Sequence, residues 1–329
     1  MKDAQVRVAA RVPAPLQAGD LLRVIAPSGA LREQKAFQEG VKIWRSRGYQ
    51  VEISPGYDRR WGYLAGTDEE RRSQLAHALT DPDCRGILCT RGGYGGTRIL
   101  EDWRWAAPES ADYKTTEPKW LIGFSDITSL LWSLSIQGIS GVHAPLLTTI
   151  AAEPEWSLQR LFDWVEGRSL PPLKGEGWGG GKAEGILLPA NLTVATHLLN
   201  TPAQPNLAGV ILAFEDVSEA PYRIDRMLTQ WRMSGALKDV RGIALGRFSQ
   251  CEPPAHIPSF TVAEVLRDRL GGLGIPVVSG LLFGHDGENA ALPVGISARL
   301  DGDLGELSIL DELSILDELS ILDELSKRC

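Results

Sequence analysis

The chain reads as an α/β protein in two parts, a parallel sheet with helices on both faces and then a smaller mixed α/β unit. Three observations predict this. From residue 21 to about 140, strand-length apolar runs alternate with stretches of helical periodicity, the pattern of parallel strands joined by crossover helices. Between Ala151 and Gly185 the character changes, and Pro171-Pro172 with the glycine-rich run Gly175–Gly181 reads as a linker. The length of 329 residues suits roughly two domains. The expected division is 1–150, a linker over 151–185, a second domain over 186–310, and a repetitive tail over 311–329.

Leu21–Ala26 is an apolar run that ends in Pro27-Ser28-Gly29, a strand and then a turn, with Ser28 read as a turn residue. Over Glu33–Arg47 the apolar Phe37, Val41, Ile43 and Trp44 recur at roughly helical spacing. Gly48 closes that helix, and Tyr49–Ser54 alternates as the next strand. Thr67–Leu79 is a second amphipathic helix, opened by a Thr67–Glu70 capping box. His77 on it reads as a surface or packing residue. Gly86–Thr90 is a buried strand, and after the glycine loop Thr97–Trp103 reads as a helix. Trp120-Leu121-Ile122 is a further strand, Gly123 permits a sharp bend, and Ile127–Ile136 is helical. Trp156–Val165 looks like a helix ahead of the linker. Beyond it, strands are expected at 209–214, 242–246 and 276–279, with helices at about 191–199, 223–235 and 261–270.

Composition bounds the function. The chain is 43% hydrophobic and 23% charged, with ample material for a core. A net charge of −8 without a lysine or arginine run argues against nucleic acid or an anionic membrane as partner. Cys84, Cys89, Cys251 and Cys329 show neither a C-x-x-C pair nor metal-ligand spacing, which fits free thiols in a reducing compartment. Met1–Pro15 lacks an apolar signal core and no run approaches a membrane span. The expectation is a cytoplasmic protein that uses no metal and no cofactor.

The chemistry is expected at strand ends. Ser125 lies at the turn from the Trp120–Ile122 strand into a helix, where an α/β sheet can hold up a nucleophile beside the free N–H groups of the first helical turn. The same position would suit a simple capping serine. Arg91-Gly92-Gly93-Tyr94-Gly95-Gly96 packs four glycines between a strand and a helix, so backbone approaches something closely there. A phosphate cradle, an oxyanion-hole N–H beside Ser125 and a plain turn are all compatible, although the Walker lysine is missing. Leu212–Val217 ends in the paired carboxylates Glu215 and Asp216, with Glu219 close behind. His285 stands in the glycine-flanked loop Phe283–Gly287 and can act as an oriented base. His143, His197 and His256 are poorer candidates. Serine, acid and histidine together make a plausible triad.

On these residues the chain resembles the LD-carboxypeptidases of serine peptidase family S66, which include muramoyltetrapeptide carboxypeptidases and microcin C immunity peptidases. The matching segments are Gly62–Asp68, Arg91–Gly96, Gly123–Asp126, Phe214–Asp225 and Phe283–Asn289, in order within about residues 19–310. The resemblance implies Ser125 as nucleophile, Glu215 as acid and His285 as base. It implies an oxyanion hole from the N–H of Asp126 and a glycine N–H of the Arg91–Gly96 loop, Gly93 first and Gly92 second. It further implies a flavodoxin-like N-terminal domain, a C-terminal domain built around a small β-barrel, and a homodimer. The implied substrate is a murein tetrapeptide that loses its C-terminal D-alanine, bound in a cleft between the domains.

Two features depart from the pattern. Pro189-Ala190 stands before Asn191-Leu192 where relatives commonly carry Gly-Gly, and Ser308–Leu325 repeats Ser-Ile-Leu-Asp-Glu-Leu three times. The first copy fits a final strand; the others read as an edge extension or a frayed tail. Arg91, Arg98 and Arg223 could hold a terminal carboxylate, and Tyr94 could also touch substrate. A related peptidase cleaving peptidyl or aminoacyl nucleotides would need a stacking surface, for which Trp178 or Trp231 is available. A non-catalytic ligand-binding module is the third reading.

Overall fold

In the computed structural model, which describes residues 9–101, 103, 105, 117–253 and 255–310, two sheets share their cores. The first half follows the expected alternation. Strands β1 (Leu21–Ile25), β2 (Gln50–Ile53), β3 (Cys84–Cys89), β4 (Trp120–Gly123) and β5 (Val142–His143) are all parallel. Helices α1 (Gln34–Ser46), α2 (Asp68–Thr80), α3 (Gly96–Leu100) and α4 (Thr128–Ile136) connect them. Thr67 and Glu70 form the expected capping box, each side chain satisfying a backbone N–H of the other end of the turn. The strand order 2-1-3-4-5 is that of a flavodoxin-like sheet, whose switch point lies between β1 and β3. Both faces are apolar and covered, with Phe37, Val41 and Trp44 of α1 on one side and Leu75, Ile99 and Leu131 on the other.

Helix α5 (Glu155–Val165) packs back on this first sheet, where Phe162 meets Trp44 edge-on at 5.0 Å. The stretch read as linker is then built into the second sheet. It forms β6 (Leu173–Lys174), β7 (Glu176–Trp178) and the start of β8 (Lys182–Asn191). The short strands β6 and β7 lie at the two ends of the sheet, and backbone at Gly302 comes close enough to exclude a side chain at Gly177.

Downstream come α6 (Leu192–Leu198), β9 (Val210–Val217), α7 (Pro221–Met233), β10 (Gly242–Ser249), α8 (Val262–Leu270) and β11 (Val277–Ser279). These elements match the expected positions. Strand β12 (Leu292–Pro293) leaves this half and pairs antiparallel with β5. Strands β13 (Ser297–Asp301) and β14 (Glu306–Ile309) return to the second sheet, ordered β6-β14-β13-β8-β9-β10-β11-β7. The resemblance implies a closed barrel; the described ladders instead give a sheet with two ends. The repeats at 311–329 lie outside the described residues. No described helix is long and apolar enough to cross a membrane.

Candidate active site

Ser125 follows β4 at the mouth of the first sheet. Its backbone is left-handed, with φ 62°, a conformation that side chains rarely adopt and that marks a constrained turn. Ser125–Ile127 form one turn of 3-10 helix leading into α4. The hydroxyl is half-buried beside Gly92: a methyl group at Gly92 would lie 2.9 Å from Ser125 Oγ and 3.6 Å from Asp126 N. The glycine loop therefore approaches the elbow itself, as one of its three readings required.

Asp126 holds this arrangement from beneath. Its buried Oδ2 accepts from Ser28 Oγ at 2.5 Å and from Gly96 N at 2.7 Å, and its carbonyl accepts from Ser129 Oγ at 2.7 Å. Burial pushes its carboxyl above the usual range, against the pull of these donors and of Arg71. Ser28 is thus more than a turn residue: it braces the residue after the elbow, across 98 positions of sequence. The loops after β1 and β3 meet where Gly29 N donates to Gly92 O at 3.1 Å, at the switch point of the sheet.

Glu215 and His285, the expected acid and base, come together from the second half. Glu215 near the end of β9 is fully buried, and its Oε2 stands 2.6 Å from His285 Nδ1. That leaves Nε2 as the ring nitrogen free for chemistry. The histidine loop is shaped by Asn289, whose Oδ1 accepts from Gly284 N at 3.1 Å, and Gly284 has φ 133° with the Arg247 backbone against it. His285 packs on the ring of Phe124, the residue before Ser125, with centroids 4.6 Å apart. Burial alone would favour the neutral imidazole. The Glu215 carboxylate, with Asp216 and Asp286 beyond, outweighs it and lifts the His285 pKa above its ordinary value. Among the described hydrogen bonds, Ser125 Oγ and His285 are not yet joined, as in many resting sites that tighten only around substrate.

Asp216 points to the other face of β9, where it accepts from Asn191 Nδ2 at 3.0 Å and Thr193 N at 2.9 Å and starts α6. Burial and its neighbour Glu215 raise its pKa to about 6. The remaining candidates are spread out. Arg91 donates to Ala30 O at 3.0 Å, and exposed Tyr94 pairs with Tyr63 at 6.1 Å. Arg98 is committed to Asp68. Arg223, in the first turn of α7, lies against Tyr222 and Glu219 and lines a cavity of about 480 Å³ with His197 and Arg226. Trp231 is wholly buried on Phe214 and offers no open stacking face, while the half-buried Trp178 donates to Ser279 and carries Arg267 over its ring. No described group of side chains could hold a metal ion.

Comparison with known proteins places the chain in a family. Residues 22–144 match the model of the LD-carboxypeptidase N-terminal domain, and residues 184–300 match that of the C-terminal domain. A Synechocystis sp. protein provisionally named a carboxypeptidase is 59% identical over 298 residues, 91% of this chain and 97% of the relative. The microcin C7 self-immunity protein of Escherichia coli is 25% identical over 340 residues, 91% of this chain and 95% of the relative. The crystal structure of a muramoyltetrapeptide carboxypeptidase from Oxalobacter formigenes superposes with a TM-score of 0.78 at 31% identity, covering 88% of this chain and 99% of that one. With both domain models matched in order, the chain belongs to the LD-carboxypeptidase family.

Proposed function

We propose that this protein is a serine carboxypeptidase that hydrolyses the amide between an L-configured centre and a C-terminal D-amino acid, releasing D-alanine from murein tetrapeptides. The observation that carries the reading is the serine in left-handed backbone at the β4 elbow, with the Glu215–His285 pair packed against the residue before it. His285 Nε2 takes the proton from Ser125 Oγ as the oxygen attacks the carbonyl carbon. Glu215 orients the ring and stabilises the imidazolium. The tetrahedral oxyanion rests on the N–H of Asp126 and a glycine N–H of the loop, Gly93 before Gly92. His285 then protonates the departing amine, D-alanine leaves, and water activated by the same histidine splits the acyl-enzyme.

Incubation with L-Ala-γ-D-Glu-meso-diaminopimelyl-D-Ala tests this by measuring free D-alanine. Wild type should release it, and Ser125→Ala should lower turnover by about 10⁴-fold or more. The base works only when neutral, so kcat/KM should fall as pH drops through the raised pKa of His285. Activity left intact in Ser125→Ala would remove the nucleophile. Cleavage of a peptidyl adenylate analogue but not of the tetrapeptide would favour the nucleotide-type reading, and no release from either would favour a binding module.

A further inference from the structure

His143 sits in the middle of this assembly, and the mechanism above gives it no task. It ends β5, in register with Gly123 of β4 on one side and Leu292 of β12 on the other. Gly123 leads two residues on to Ser125; Leu292 follows the loop that carries His285. Its ring meets Phe124 edge-on at 5.6 Å and Phe283 at 6.2 Å, with interplanar angles of 68° and 90°. Phe124 in turn carries His285 on its other neighbour contact, at 4.6 Å. One imidazole therefore touches both the residue before the nucleophile and a residue that opens the base's loop.

Packing alone would be served by phenylalanine. His143 is wholly buried, and neither of its ring nitrogens has a hydrogen-bond partner among the described residues. A native fold retains such a group at a cost and usually for a reason. Glu215 has the complementary deficit: Oε2 holds His285, while the buried Oε1 is unpartnered. Burial dominates the titration of His143 and takes its pKa down to about 4, with Glu215 pulling upward and His285 downward. The ring thus carries one N–H and one lone pair at working pH. It can face a carboxylate without competing for the catalytic proton.

We propose that His143 is a positioning residue for this reaction: it presents its N–H dipole to the Glu215 carboxylate and, through Phe124 and Phe283, sets the angle at which His285 meets Ser125. This rests on the reading of Ser125, His285 and Glu215 as the working triad. The charged and titratable groups that act on His285 are Glu215, which it contacts, Asp216 on the other face of β9, Asp286 from its own loop and His143 from β5, with the Arg247–Glu288 pair flanking the loop. Without the dipole from His143, Glu215 is less stabilised and holds the proton of His285 more tightly.

The test pairs kinetics with a measurement that needs no turnover. His143→Phe should lower kcat for D-alanine release about 10- to 100-fold, the usual effect of losing a partner behind a working group, with KM within about twofold. His285, followed by NMR in the resting protein, should titrate about half a pH unit higher in that variant, and the acid limb of kcat should move with it. His143→Gln keeps an N–H and should recover part of the loss. Wild-type kcat together with wild-type His285 titration in His143→Phe would reduce the residue to packing and overturn the proposal. In wild type itself, the ring ¹⁵N shifts of His143 should step at the pH where His285 titrates; their absence would overturn it even if His143→Phe does not fold. Should wild type release no D-alanine, the murein reading fails, and the NMR outcomes still judge His143.

Discussion

Ser125 and Gly92 illustrate how little room the chemistry has at the scale of single residues. A Cβ at Gly92 would stand 2.9 Å from Ser125 Oγ and 3.0 Å from Ser125 Cβ, closer than side-chain atoms settle, and serine has no flexible stem with which to retreat. Gly92 has ordinary backbone, so Gly92→Ala should fold normally while driving the hydroxyl into another rotamer. A displacement of that size is expected to lower kcat about 100-fold with little change in thermal midpoint, read by tetrapeptide turnover beside a melting curve. Wild-type turnover would mean that the loop moves aside. Ser125, Glu215 and His285 could be singled out in the sequence because each stands in a telling local pattern, the first after an apolar strand, the second in a carboxylate pair and the third in a glycine-flanked loop. Ser28 and His143 were not. Their meaning lies in partners far along the chain, Asp126 for one and the two phenylalanines for the other, and no local spacing encodes such contacts.

Helix α2 works as a clamp on the two loops that frame the elbow. Arg71 on its inner face is fully buried, and its guanidinium donates to Pro27 O after β1 and to Gly95 O at 2.7 Å after β3, while pairing with Asp68. Burial works against its charge and lowers its pKa, with Asp68 and Asp126 pulling the other way. Arg71→Met would take the guanidinium donor from the buried Pro27 carbonyl, leave Gly95 O with only its 3.2 Å bond from Arg98 N, and remove a cation that acts on Asp126. It should cost about 2–4 kcal/mol in urea unfolding and lower turnover as well. A loss below about 0.5 kcal/mol would show the clamp to be dispensable. Helix and strand positions were readable from periodicity and caps, and the Thr67–Glu70 box appears as expected. Residues 173–178 were misread because proline and glycine were taken as punctuation. Here they allow short strands to lie against crowded neighbours, and pairing with β11 and β14 decides their conformation.

For the whole molecule, what matters is how the two halves are joined around the histidine loop. The sequence suggested two units meeting at a cleft, and it could not reveal that β12 crosses into the first sheet, since two residues carry no periodic signal. Helix α5 secures the same crossing. Glu153 Oε2 accepts from Asn289 N at 2.8 Å and from Ser157 Oγ at 2.9 Å, and Arg160 donates to Ala291 O at 3.0 Å. Asn289 shapes the loop of His285, so the proposed base is anchored to the half that carries Ser125. Burial raises the Glu153 pKa, the two hydrogen bonds oppose this, and Glu288 adds to it. A carboxyl raised in the folded state binds its proton more tightly there than in the unfolded chain. Its stabilising contribution is complete below the unfolded pKa and is lost as pH rises through the folded one. Glu153→Gln keeps an acceptor for Asn289 N and carries no charge to bury. The variant should therefore gain stability relative to wild type as pH rises from acid to neutral. Thermal midpoints at both ends of that range measure it, and a difference that is flat or falls with pH would show that Glu153 is needed there as an anion.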